Sequence, residues 1–207
     1  MKAVTGYTEA KATSFNSPER LPAGGYVLRV LDVKEENNGY GDVVVLRFDI
    51  TEGEFKGFFD NQYRNMPDEY KKWKGTYRLK IPFQNGNSED DVKKYNRSVS
   101  FFKSQIEAVN KSNNISIDCS KEWDTAVLKN RLVGAVFGNK EWKIDGKTGW
   151  FTNCDHLVDA KDIRDGNFKI PKDKPLDSKA SENTSQSDFS TDTSDFDEIE
   201  TESPVPF

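Results

Sequence analysis

The residues able to build a packed interior and the residues that would charge it lie on different stretches of this chain. All four Trp, all seven Tyr and eleven of the fourteen Phe precede position 171, whereas residues 171–207 hold ten Asp or Glu against three Lys. That last stretch therefore carries a formal charge of -7 and the rest of the chain about +2, against -5 for the whole. Ser, Thr, Asp, Glu and Lys dominate after Pro171 with no apolar period. Ordering such a segment costs conformational entropy that its few apolar groups do not offset. The sequence thus predicts a polar N-terminal arm over 1–20, one globular domain over 21–170 and a disordered acidic tail over 171–207. A mean hydropathy of -0.81 argues against a membrane protein. No apolar stretch of signal-peptide length follows Met1-Lys2-Ala3, so a reducing cytoplasm is the expected compartment. With two Cys and one His, a structural zinc site of four nitrogen or sulfur ligands cannot be assembled in a single chain. No metal or other cofactor is expected.

Within the domain the apolar periods are mostly those of strands. After Gly24-Gly25, Tyr26, Leu28 and Val30 alternate with Val27, Arg29 and Leu31, and this strand is expected to run to about Lys34. A turn cluster, Glu36-Asn37-Asn38-Gly39-Tyr40-Gly41, separates it from Val43–Ile50, where Val44, Leu46, Phe48 and Ile50 share one face. A third strand is expected to begin at Phe58-Phe59-Asp60-Asn61-Gln62-Tyr63, after the turn Gly53–Gly57. Further on, Asp68–Trp73 allows a helical turn and Thr76–Ile81 alternates like a strand. Val99, Phe102, Ile106 and Val109 then form one helical stripe, with Ser98 as its expected cap and Asn110–Asn114 as its stop. Leu132–Phe137 and Trp150–Val158 complete the pattern as strands, around the tight-turn signal Asp145-Gly146-Lys147.

Three strands, a helix and two strands is the order of a five-stranded Greek-key OB-fold barrel, an all-β architecture with one helix whose second and third strands commonly face oligonucleotides. Cations and rings interleave in that region: Arg47, Lys56, Phe58, Tyr63, Arg64, Trp73, Tyr77, Arg78 and Lys80. Around the last hairpin, where OB-folds also contact ligands, stand Lys140, Trp142, Lys143 and Trp150. Rings that stack on bases and cations that track phosphates suit a single strand, and either Trp of the hairpin equally suits the core.

The acidic run Asp195, Asp197, Glu198, Glu200 and Glu202, followed by Pro206-Phe207, resembles the tails of bacterial and phage single-stranded-DNA-binding proteins. Val205 stands where those tails have Ile, and the acids are more dispersed than theirs. A similar likeness, to DNA-binding proteins of phages of Gram-positive bacteria, rests on Leu21-Pro22-Ala23-Gly24-Gly25-Tyr26, Glu52–Gly57, Phe101–Val109 and Ile163–Pro171. The resemblance implies sequence-independent binding of single-stranded DNA in phage replication and recombination, with the tail recruiting replication or recombination proteins. It also implies the cytoplasm of a phage-infected or lysogenic bacterium. A monomer and a homodimer are both compatible with it. Two other readings stay open: an acidic interaction protein that acts on a host factor through its tail, and a metal-dependent nuclease using Asp90 and Asp91. Catalysis is not expected. Glu89, Asp90 and Asp91 lie in a Gly-, Asn- and Ser-rich stretch expected to be a solvated loop, and Cys154 with His156 lacks an orienting third group. No phosphate-binding loop ending in Lys-Ser or Lys-Thr is present.

Overall fold

A computed structural model describes residues 20–37, 41–144 and 146–176. The expected arm and most of the expected tail, including Asp195, Asp197, Glu198, Glu200, Glu202, Pro206 and Phe207, lie outside the described residues.

The alternating runs form strands. β1 (Gly24–Asn37), β2 (Asp42–Ile50), β3 (Thr76–Lys80), β4 (Leu132–Ile144) and β5 (Lys147–Val158) make one antiparallel sheet in the order β3-β2-β1-β4-β5. β1 outlasts its expected end because it serves two partners. Its first half pairs with β4, from Gly24 opposite Phe137 to Arg29 opposite Leu132, and its second half pairs with β2 out to Asn37 opposite Asp42. A bulge between Val30 and Asp32 separates most of the two pairings and adds the local bend that a strand shared in this way needs. Leu28, Val30, Val44, Leu46, Phe48 and Ile50 turn to the core, where Phe137 meets Tyr26, Phe48 and Phe59. The other face of β1 and β4 is also covered, because Gly25 and Gly134 have no Cβ and let Ile163 approach to 2.7 Å of the point a Cβ would occupy on each. Ile163 belongs to the short helix α3 (Ala160–Arg164), which accounts for the Ile163–Pro171 segment as packing.

Two elements depart from the sequence expectation. Phe58–Asn65 is a helix, α1, and the third strand is Thr76–Lys80. The reason lies outside the segment: Asp49 of β2 accepts hydrogen bonds from the backbone N–H of Phe59 (3.0 Å) and Asp60 (3.2 Å), so a carboxylate from the preceding strand satisfies the first orphan donors of the helix. α2 (Glu89–Asn113) begins ten residues before the apolar stripe does. Its cap is Ser88, not Ser98, and Ser88 and Asp91 form a reciprocal capping box. Ser98 donates back to the Tyr95 carbonyl inside the helix. α2 ends at left-handed Asn114, φ 52, within the expected polar stop. The chain is therefore mostly β with three α-helices among its described residues, where one was expected, and the helical turn allowed at Asp68–Trp73 is a 3-10 turn over Asp68–Tyr70.

Gln105 of α2 is buried and bridges the two edge strands. Its side-chain oxygen accepts from the Tyr77 hydroxyl of β3 (3.1 Å) and from the Leu157 N–H of β5 (2.7 Å). The sheet therefore curls until both of its edges reach one side chain.

The packed body also runs past the expected boundary at 170. The Lys174 N–H donates to the Asn139 carbonyl, and the Glu141 N–H donates to the Lys174 carbonyl, both at 3.0 Å. Residues 171–176 thus form a strap along the part of β4 that β1 leaves unpaired.

Candidate nucleic-acid interface

The outer face of β1, β2 and β3 collects the first group of expected residues. Arg47 projects from β2, and its Cζ lies 4.4 Å from the centroid of the Trp73 ring. Trp73 is held by its own indole N–H, which donates to the carbonyls of Phe48 (3.1 Å) and Gly75 (3.0 Å). Gly75 permits that approach, since a Cβ there would meet the Phe48 carbonyl and the Phe59 ring. Tyr63, delivered by α1, leans on Trp73 with ring centroids 5.7 Å apart, and the Lys71 ammonium lies 5.4 Å from the Tyr63 centroid. Asp49 is thus the residue that aims Tyr63, by fixing where α1 starts. Burial holds its carboxyl above the ordinary range despite three backbone N–H donors that favour the charged form.

Beside this cluster, Arg78 of β3 bonds Glu36 at 3.0 Å and Lys34 bonds the same carboxylate at 3.1 Å. Lys129 bonds Asp32 at 2.8 Å. The hydrogen bond from Lys34 holds Glu36 below its usual range, and that from Lys129 does the same for Asp32. The acids of this face are therefore already partnered, while Lys80 and Arg47 stand exposed. Electrostatically the face favours an anion.

The β4–β5 hairpin forms a second group. Its register pairs Trp142 with Gly149 and Glu141 with Trp150, and closes with Ile144 opposite Lys147 beside Gly146 at φ 75. Trp142 lies flat against its partner, a Cβ on Gly149 being only 2.8 Å from the indole. Trp150 and Phe151 are 39% and 42% exposed and Ile144 61%, with Lys143 and Lys147 exposed around them. Lys140 is half-buried at the hairpin base, and burial, with Lys174 nearby, lowers its ammonium pKa.

Other expected residues belong elsewhere. Tyr77 is buried beneath β3 and bonds Gln105, and burial raises its phenol well above the ordinary value. Strand alternation placed it opposite Arg78, and the inner face is its side. Phe58 packs edge-on to Phe55 and Phe59 as a wall of the core. Arg64 pairs with Asp60 at 2.8 Å, one turn back along α1. Lys56 stands exposed on the turn after β2. Residues the sequence reading missed are Lys34, Lys71, Lys129, Ile144, Phe151 and the positioning Asp49. An acid inside the run Val43–Ile50 was the available signal for the last.

The weighed catalytic groups also fall into place. Cys154 is buried, which raises its thiol well above the ordinary value, opposite to what a nucleophile needs. Its sulfur lies 3.9 Å from the His156 carbonyl, while the imidazole Nδ1 lies 3.0 Å from Asp155. Glu89, Asp90 and Asp91 are the first turn of α2, where carboxylates complement the helix dipole, so the expected loop is a helix terminus. Among the described residues no three His, Cys, Asp or Glu are grouped to hold a metal, and no helix is long and apolar enough to cross a membrane. Comparison with protein-family models and with curated proteins finds no match to this chain.

Proposed function

We propose that this protein coats single-stranded DNA without regard to sequence, on a five-stranded Greek-key OB-fold, in phage DNA replication or recombination. The observation that carries the reading is the convergence of Arg47, Trp73, Tyr63 and Lys71 on the outer face of β2 and β3, beside acids already neutralised by other cations. The fold supports it: β1 is shared between β2 and β4, a helix separates β3 from β4, and both sheet edges meet at Gln105. The exposed rings of the β4–β5 hairpin add stacking surface, each stacked base contributing roughly 1–3 kcal/mol. Cations neutralise phosphates and release counterions, so affinity falls steeply with salt. The acidic segment after residue 176 is the candidate to recruit replication or recombination proteins.

Titration of intrinsic Trp fluorescence with an oligo-dT of about 30 nucleotides tests this reading. Saturable quenching that is strong for the single strand, weak for duplex and eroded by salt is the expected result. No response, confirmed by gel shift, removes DNA binding as the function.

A further inference from the structure

The two aromatic groups of the proposed interface differ in one respect that assigns them different work. In the sheet group both rings already carry a cation, Arg47 over Trp73 and Lys71 over Tyr63. Trp73 is also pinned by two hydrogen bonds from its indole N–H, so it cannot swing clear of Arg47 without breaking them. In the hairpin group Trp150 and Phe151 are exposed, and among the described residues no cation lies over either ring.

Arg47 also differs from three other exposed arginines. Arg64, Arg78 and Arg164 are committed to Asp60, Glu36 and Glu52, the last at 3.0 Å from the Arg164 Nε. Arg47 makes no side-chain hydrogen bond or ion pair to an acceptor among the described residues, although Asp32 is close enough to feel its charge. A planar guanidinium held against a ring, with its fork of N–H donors unengaged, is set to receive a phosphate through two parallel bonds at little ordering cost.

Resting on the single-strand reading, we infer that the Arg47–Trp73 pair is a phosphate clamp. The sheet face grips the phosphodiester backbone, and base stacking falls to the hairpin rings. A base would have to displace Arg47 to reach Trp73, whereas a phosphate uses the pair as it stands.

The test compares the full chain with R47K and W150A on two probes at low salt, an oligo-dT and an oligomer of equal length made of abasic sugar phosphates. R47K keeps the charge and loses the fork. It should weaken binding to both probes by the same factor, about tenfold, with an unchanged slope of log affinity against log salt. W150A should weaken the oligo-dT complex more than the abasic one. The inference falls if R47K binds both probes like wild type, if R47K weakens only the oligo-dT complex, or if the wild-type chain binds oligo-dT but not the abasic strand. Loss of all wild-type binding to oligo-dT instead removes the single-strand reading and the clamp with it.

Discussion

Asp49 acts on the interface without belonging to it. Its carboxylate, buried at the end of β2, takes N–H donors from Ile50, Phe59 and Asp60, and so decides that residues 58–65 coil and that Tyr63 arrives beside Trp73. D49A removes the acceptor from a helix start and should destabilise the protein by about 1–3 kcal/mol. D49N retains an acceptor oxygen, and because burial already disfavours the charged form it should cost distinctly less. Urea denaturation of the three proteins checks the order, and equal losses for both variants would dismiss the capping role. Single residues were the least legible scale in the sequence. Strand alternation put Tyr77 and Arg78 on opposite faces, yet which face is interior depends on α2, which supplies Gln105 to one of them. Phe58 and Phe59 look like strand residues because the cap that makes them helical stands in another element.

Elements with a local cause were legible, and those with a distant cause were not. β2 and the β4–β5 hairpin were foretold by their own alternation and by the Asp-Gly turn. The first turns of α2 bury no residue, so no apolar period announces them, although Ser88 and Asp91 have capping-box spacing. The strap over 171–176 has no periodicity either. It is held by backbone pairing to β4 and by Lys174, which bonds Asp155 at 2.9 Å. The His156 hydrogen bond and then Lys174 hold the Asp155 carboxyl down at about 2. A depressed carboxylate stabilises the fold above its unfolded pKa of about 3.9, and that contribution is lost as the pH falls toward about 2. The full shift corresponds to roughly 2.5 kcal/mol, and solvent at the partly exposed Lys174 reduces this to about 1. D155N should therefore melt lower than wild type near pH 7, and the gap should narrow from about pH 5 and close only below about pH 2. A gap independent of pH would mean that the ionised form of Asp155 has no part in holding the strap.

At the scale of the whole molecule, one amide joins the ends of the sheet. Replacing Gln105 with Leu keeps apolar volume but leaves the Leu157 N–H and the Tyr77 hydroxyl without their acceptor inside the core, which should cost about 2–4 kcal/mol. The denaturation midpoint should drop with the slope preserved, whereas an unchanged midpoint would show that water or a neighbour replaces the amide. The overall architecture was more legible than this closure: one aromatic-rich body ahead of an acidic segment follows from composition, and a mostly β sheet from period-two runs. The polar bridge at its edges follows from neither, since nothing in Phe101–Val109 marks Gln105 as different from any helical glutamine.

The divided pairing of β1 also sets an order of events as the chain folds. From Leu28 onward β1 finds β2 across a short connection, but Gly24–Tyr26 wait for Ala135–Phe137 of β4, with which they pair. Closing a loop of that length carries an entropy cost that local contacts do not, so the β1–β2 hairpin can form early and the β1–β4 seam must come late. During synthesis Gly24-Gly25-Tyr26, at the start of β1, therefore lacks its strand partner until β4 leaves the ribosome. In that interval it is the stretch on which a chaperone, or a neighbouring nascent chain, would act.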